Sequence, residues 1–201
     1  ALKRLNKVRH VGIGVNDPNF ALKIVEASSV PNPSPSSSPR WWICRNLSPR
    51  SWRGRSKPPS ASFNKDMMVD TLMLAGSWNL LDQSGHDVLV ACQRRGIDVH
   101  NAGIFASGLL VGGDTVRYAP ASREMVERAR RWRQLCQKYG LKIQAVAIAF
   151  AFMPKVVKKI AVGVSTVAEL EQNVSCLACK VPKQLWVDAK KEGLLLSKIK
   201  L

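Results

Sequence analysis

Four short apolar runs, each followed by a segment with helical spacing, set the strongest limit on what this chain can fold into. The first is VRHVGIGV, residues 8–15, where branched side chains and glycines predict a buried strand. Asp17 then stands where a helix cap is needed, and Pro18 occupies the first helical position. Phe20 and Ile24 are expected on the inner face of that helix, which breaks off near Ala27. Residues 69–75 predict a second strand, followed by a helix from about Gly85 to Arg95 that Gly96 closes. Residues 97–103 predict a third strand. It runs into a loop carrying Gly103, Gly108, Gly112 and Gly113.

A longer helix is expected over about 122–139. Met125, Ala129, Trp132, Cys136 and Tyr139 line one side of it, and Gly140 ends it. A nearly all-apolar helix over 142–153 stops at Pro154. Residues 159–164 predict a fourth strand, Ser165 or Thr166 caps a helix reaching about Val174, and a last helix runs from Pro182 to Gly193. Strands alternating with helices imply a parallel sheet with right-handed crossovers. Four such units make half of an eight-unit barrel, so the expected class is α/β, a partial (β/α)8 TIM barrel. Setting aside residues 28–66 leaves 162 of 201 residues, against ~250 for a complete barrel.

Residues 28–66 obey a different rule. From Ser28 to Pro39, ten of twelve residues are Ser or Pro. Then Arg40, Arg45, Arg50, Arg53, Arg55 and Lys57 follow with no acid among them. Proline at this density denies helix and sheet their hydrogen bonds, and the segment has too little apolar surface to offset its ordering entropy. It reads as a disordered insert between a first unit over 1–27 and the remaining units over 67–201. Its Ser/Pro/Arg/Trp bias is that of translated non-coding sequence, as from a retained intron.

The formal charge is +17, which favours anionic partners without bearing on the fold. Residues 40–57, with Trp41, Trp42 and Trp52 among the cations, offer a nucleic-acid-binding reading: cations to phosphate, indoles stacked on bases. The longest apolar run, Ala145–Met153, is far short of the ~18 residues a membrane span needs. No apolar leader opens the chain, so a cytoplasmic protein with no membrane partner is expected. The chain opens on Ala1 rather than Met, and sequence ahead of it is expected. Five cysteines at irregular spacing make no disulfide framework. Cys176 and Cys179 form a CxxC, but the further ligands a zinc site requires are absent at suitable spacing, so no metal is expected and both are read as small buried residues near a helix end.

With the order of elements in place, the motifs resemble one family. KVRHVGIGVND, the stretch from Leu72 to Gly113, YAPASREMVERARRW, VGVSTVAELEQNV and the ending VPKQLWVDAKKEGLL are similar to the second half of aldo-keto reductases of the sugar-dehydrogenase kind. The resemblance covers 1–27 and 67–201, matches strands five to eight of the barrel, and fails over 28–66.

It implies an oxidoreductase that moves a hydride between a nicotinamide nucleotide and an aldose or aldehyde. By motif, it places Asn16 near the nicotinamide carboxamide. Phe105, Ala106, Ser107, Gly108 and Leu109 match the loop that wraps the pyrophosphate. Gly163, Ser165 and Thr166 match the turn at the adenosine ribose, and Gln172 and Asn173 the pair that binds adenine, with Gln172 where the family has a glutamate. Gly163 and Glu169 stand where members specific for NADP carry basic residues. A carboxylate there repels a 2′-phosphate and can accept from a ribose hydroxyl, so NAD is expected over NADP. The family's Tyr, Lys, Asp and His come from the first half of its barrel. Tyr118 and Tyr139 match none of these positions, and no residue of this chain is assigned as catalytic. A nucleotide-binding pseudoenzyme is the alternative to an oxidoreductase.

The residues stand independently of the resemblance at three places. Ligands of a parallel barrel lie at the carboxyl ends of its strands, where Asn16, Asn79, Asn101 and the 105–108 loop fall. Glycines in such a loop let backbone amides approach a phosphate. The turn Gly163–Thr166 opens a helix, whose N–H groups and positive dipole end suit a nucleotide. His100, inside a strand, is expected to be packed or hydrogen-bonded.

Overall fold

The computed structural model describes Leu5 and residues 7–28, 69–116 and 119–199. The expected insert therefore lies outside the described residues apart from Ser28, as do the 40–57 basic segment, Cys44 and Tyr118.

The sheet has four strands, β1 Gly12–Val15, β2 Thr71–Ala75, β3 Asp98–Ala102 and, later in the chain, the strand Val157–Ala161. They lie in chain order and every pairing is parallel. Helices fill the connections: α1 Pro18–Ala27, α2 His86–Arg95, α3 Arg123–Lys138 and α4 Ile143–Ala151. After β3 come a 3-10 segment, Ala106–Val111, and a two-strand antiparallel hairpin, β4 Thr115–Val116 and β5 Ala119–Pro120. The strand Val157–Ala161 is thus β6, and α5 Val167–Cys176 and α6 Lys183–Lys191 end the chain's regular structure. The α/β class and the four-unit parallel arrangement are as the sequence predicts.

The caps explain most boundaries. Asp17 Oδ1 accepts from the amides of Asn19 and Phe20 at 2.8 and 3.4 Å. Gly96 and Gly140 take positive φ after α2 and α3, a conformation open to glycine at no steric cost. Thr166 Oγ1 accepts from the Glu169 amide at 3.2 Å and starts α5.

Alternation along the strands divides the sheet into two faces. Leu72 and Leu74 of β2 pair with Val99 and Asn101 of β3, and all four are buried under the helices. The opposite face carries Thr71, Met73, His100 and Lys159, and there Met73 is 40% exposed. Among the described residues this face has no helix layer, as expected of half a barrel. The helix layer is anchored by aromatic rings. Trp78 stacks on Phe150 at 4.6 Å, Phe150 meets Trp186 at 6.2 Å, and Trp186 packs edge-on to Trp132 at 6.5 Å.

Three expectations are corrected. Phe20 does not lie on the inner face of α1: it is 56% exposed, while Ala21 and Val25 are fully buried. A helix turns by about 100° per residue, and the small Ala21 side lets the helix approach the sheet more closely than a phenyl ring would. β1 begins at Gly12 rather than residue 8, because the Val11 amide is taken by the Asp70 carboxylate at 2.7 Å instead of by a strand. β6 ends at Ala161, three residues short of the predicted end, because Val162–Val164 leave the sheet for the turn into α5.

Candidate functional site

Because the four strands are parallel, their carboxyl ends share one edge of the sheet. Residue Asn16 follows β1, the 76–85 loop follows β2, the 103–111 loop follows β3 and the 162–166 turn follows β6. β3 and β6 are neighbours, so the chain leaves for the 105–109 loop and for the opening of α5 from adjacent strand ends. Asn16 is exposed, and β2 lies between its strand and β3, which puts it roughly 10 Å from the β3 loop.

Among the described residues, the 105–109 loop holds the non-glycine residues with positive φ. Ala106, Ser107 and Gly108 take φ of 49°, 56° and 94° in succession. Left-handed backbone is open to glycine but disfavoured for Ala and Ser, and it persists where the surroundings enforce it. The loop's start is set by Gly103, at φ 72°, where a Cβ would come within 3.1 Å of the Gly76 backbone. The Gly76 amide donates to Ala102 O at 2.9 Å, and Asn79 Nδ2 bridges Gly76 O and Gly103 O at 3.1 and 3.3 Å. The side chains of Ala106 and Leu109 are buried, so only their backbone is available to a ligand, while Ser107 is exposed and Phe105 and Gly108 are half-buried. A Cβ on Gly108 or Gly163 would meet no protein atom within 4 Å, so both backbones face open space.

At α5, Gly163, Ser165 and Thr166 are exposed, as is Glu169, and Gln172 and Asn173 are half-buried further along the helix. The amides of the turn are not all free, contrary to the sequence reading. Glu169 Oε2 accepts from the Ser165 amide at 2.7 Å while Thr166 caps the Glu169 amide. This is the reciprocal exchange of a capping box, shifted back by one residue. An internal carboxylate thus already lies against the positive end of α5.

Asn79 and Asn101 do not face a ligand. Asn79 is 2% exposed and its Oδ1 accepts from the amides of Leu81 and Asp82, both at 2.9 Å, shaping the loop from inside. Asn101 is fully buried and donates to Trp78 O at 2.9 Å. Their strand-end position invites the ligand reading, but Asn101 lies on the sheet face covered by the helices and Asn79 is bound up within the strand-end loops. His100 is not packed in the core either. It lies on the open face beside Lys159 on the neighbouring strand, and burial, with that ammonium adding to it, holds its imidazole below the ordinary range.

Tyr139 serves the helix layer. Its hydroxyl donates to Asp188 Oδ2 at 2.6 Å, and this bond to a carboxylate pushes the phenol up, the reverse of what a general base requires. Burial pushes the thiols of Cys92 and Cys136 up to about 12, which removes them as nucleophiles. Cys176 is buried as expected, but Cys179 is exposed. Among the described residues no three His, Cys, Asp or Glu side chains gather to hold a metal, and no helix is long and apolar enough to cross a membrane. Two cavities of about 380 and 430 Å³ lie in the helix layer. One is at the turn from α3 to α4 and is lined by Arg133, Leu141 and Ile143; the other runs along the outer side of α3. Neither is lined by the strand-end loops.

The four parallel strands with helices on their connections place this chain in the α/β class, as about half of a barrel. The chain belongs to the aldo/keto reductase family, whose model matches residues 58–190. Members of that family are NAD(P)-dependent oxidoreductases. It is 33% identical over 132 residues to pyridoxal 4-dehydrogenase of Microbacterium luteolum, an alignment covering 63% of this chain and 39% of that protein. Against D-threo-aldose 1-dehydrogenase of a Pseudomonas species the identity is 30% over 133 residues, covering 63% and 40%. L-galactose dehydrogenase of Arabidopsis thaliana is 27% identical over 109 residues, covering 54% and 34%. Among solved structures, the holo form of aldo-keto reductase AKR11C1 from Bacillus halodurans superposes with a TM-score of 0.59 at 15% identity, covering 99% of this chain and 54% of that one. The chain therefore spans about two fifths of the length of the curated relatives and about half of the barrel.

Proposed function

We propose that this chain supplies the cofactor-holding half of a sugar or aldehyde dehydrogenase and that its strand-end loops bind NAD in preference to NADP. The observation that carries the reading is that the left-handed 105–109 loop and the turn into α5 follow the adjacent ends of the paired strands β3 and β6. Phe105, Ala106, Ser107, Gly108 and Leu109 present backbone to the pyrophosphate. Gly163, Ser165 and Thr166 meet the adenosine ribose, Gln172 and Asn173 the adenine, and Asn16 the nicotinamide carboxamide. When bound, the nucleotide supplies the ring that exchanges a hydride with the substrate.

The open backbones at Gly108 and Gly163 favour this fit. Glu169 argues for NAD. Its carboxylate occupies the Ser165 amide, repels a 2′-phosphate and can accept from a ribose hydroxyl. An aldose or aldehyde substrate is inferred from the dehydrogenase names of the relatives. We read residues 1–27 and 67–201 as one barrel half with 28–66 inserted in it, a division supported by the direct pairing of β1 with β2.

A thermal melt of the chain with NAD and with NADP tests the nucleotide reading. NAD at about a hundred times its dissociation constant adds about 2.7 kcal/mol of apparent stability and raises Tm by several degrees. NADP at the same concentration raises it less. A melt that neither nucleotide moves refutes the site.

A further inference from the structure

We propose that Arg133, on α3, is a positioning residue for the 105–111 loop, holding its left-handed stretch in the conformation that wraps a dinucleotide's pyrophosphate. The choice of ligand rests on the nucleotide reading above; the hold on the loop rests on geometry alone. Two successive L-residues, Ala106 and Ser107, sit in left-handed backbone, so something outside the stretch must keep it there. The stretch runs directly into Leu109 and Leu110, which are 2% and 0% exposed. Sinking those two residues into the core also withdraws their carbonyls from water, and a buried carbonyl needs a donor.

Arg133 provides it. Its Nη1 donates to Leu109 O at 3.0 Å and lies 3.5 Å from Leu110 O. Bonds from a charged donor are stronger than neutral ones, and a planar guanidinium loses little freedom in reaching two acceptors. Within the loop, Ala106 N donates to Gly103 O, Gly108 N and Leu110 N to Phe105 O, and Gly113 N to Gly108 O, at 2.9 to 3.4 Å. These close individual turns, and Asn79 Nδ2 ties the loop's start to the β2 loop through Gly103 O at 3.3 Å; the buried end is the part that Arg133 reaches. The other arginines in this part of α3 are engaged elsewhere. Arg128 donates to Leu194 O, Arg130 pairs with Glu127, and Arg131 donates to Glu192 O. Arg133 therefore joins a rigid helix to the loop's buried end, one residue past its left-handed stretch.

The test compares the full chain with Arg133→Met, Arg133→Lys and, as a control on the same helix, Arg130→Met. Without nucleotide, the amides of residues 106–113 should exchange with deuterium on the order of tenfold faster in Arg133→Met, at an intermediate rate in Arg133→Lys and at the parent rate in Arg130→Met. In calorimetric titrations, Arg133→Met should weaken NAD on the order of tenfold. It should leave AMP unchanged, because AMP has no pyrophosphate and rests on the α5 turn. A general loss of stability would lower both affinities together, and that outcome overturns the proposal. Unchanged loop exchange in Arg133→Met overturns it as well. A parent chain that binds neither nucleotide refutes the nucleotide reading instead, and the exchange data then decide separately whether Arg133 holds the loop. If Arg133→Met does not fold, Arg133→Lys carries both comparisons.

Discussion

Glu169 has two duties that can be separated. It caps α5 through the Ser165 amide, and under the proposed nucleotide reading it would put a negative charge where a 2′-phosphate sits. Glu169→Gln keeps the shape and an acceptor oxygen while removing the charge. The capping loss should stay within ~1 kcal/mol, read as a small fall in Tm. The ratio of NADP to NAD affinity should rise on the order of tenfold, since one unit charge at close range near a surface is worth a few kcal/mol before screening. An unchanged ratio in calorimetry would show that the preference is set elsewhere. At this scale the sequence was informative where a residue's backbone chemistry decides its place, as at Asp17, Pro18, Gly96 and Thr166. It was misleading for Asn79 and Asn101, because the side of a strand end that an amide faces depends on burial across the whole sheet.

The elements are held by contacts whose strength can be tested individually. Gly103 ends β3 at φ 72° with Gly76 so close that a Cβ would fall 3.1 Å from its backbone. Gly103→Ala should cost roughly 1–3 kcal/mol in denaturant unfolding through strain and displacement of the β2 loop. A neutral result would mean that the two loops can separate freely. Helices α3 and α6 are joined by Tyr139 and Asp188. The Tyr139 hydrogen bond, followed by that of Gln184, holds the Asp188 carboxyl down at about 2. A depressed folded value means a stabilising contribution that is complete above the ordinary carboxylate range and disappears as pH falls through about 2. Tyr139→Phe should therefore lower Tm at neutral pH, and its gap from the parent should close between about pH 4 and pH 2. A gap that persists at pH 2 would assign the effect to packing. The main helices and all four parallel strands could be foreseen from hydrophobic period and caps. The 3-10 segment and the β4–β5 hairpin could not, since a glycine-rich stretch with two-residue strands has no period to read.

For the whole molecule, the question is how one barrel half tolerates an interruption in its first unit. The two sides of residues 29–68 are joined in the sheet itself. Gly12–Val15 pair with Thr71–Leu74, the Val11 amide donates to the Asp70 carboxylate at 2.7 Å, and the Asp70 amide returns a bond to Val11 O at 2.8 Å. One layer out, Arg95 of α2 donates to Glu26 O of α1 at 3.2 Å, and Ser28 ends α1 with its hydroxyl on Ile24 O at 2.9 Å. Each of these contacts lies outside the segment, so none requires it. Closing a connection also costs entropy that grows with its length, and shortening one from about 40 residues to a few is worth about 2 kcal/mol. Deleting residues 30–66 leaves Ser28, Ser29, Met67, Met68, Val69 and Asp70 between α1 and β2, a usual length for such a connection. The deleted chain should melt cooperatively, at or above the parent's Tm, with its response to NAD retained. Loss of the cooperative melt would show that residues 30–66 contribute to the fold. Retention of the melt with loss of the NAD response would tie them to the nucleotide site. An unchanged response to both would identify the paired strands β1 and β2 as the actual junction of the two parts, with the inserted segment outside the working molecule.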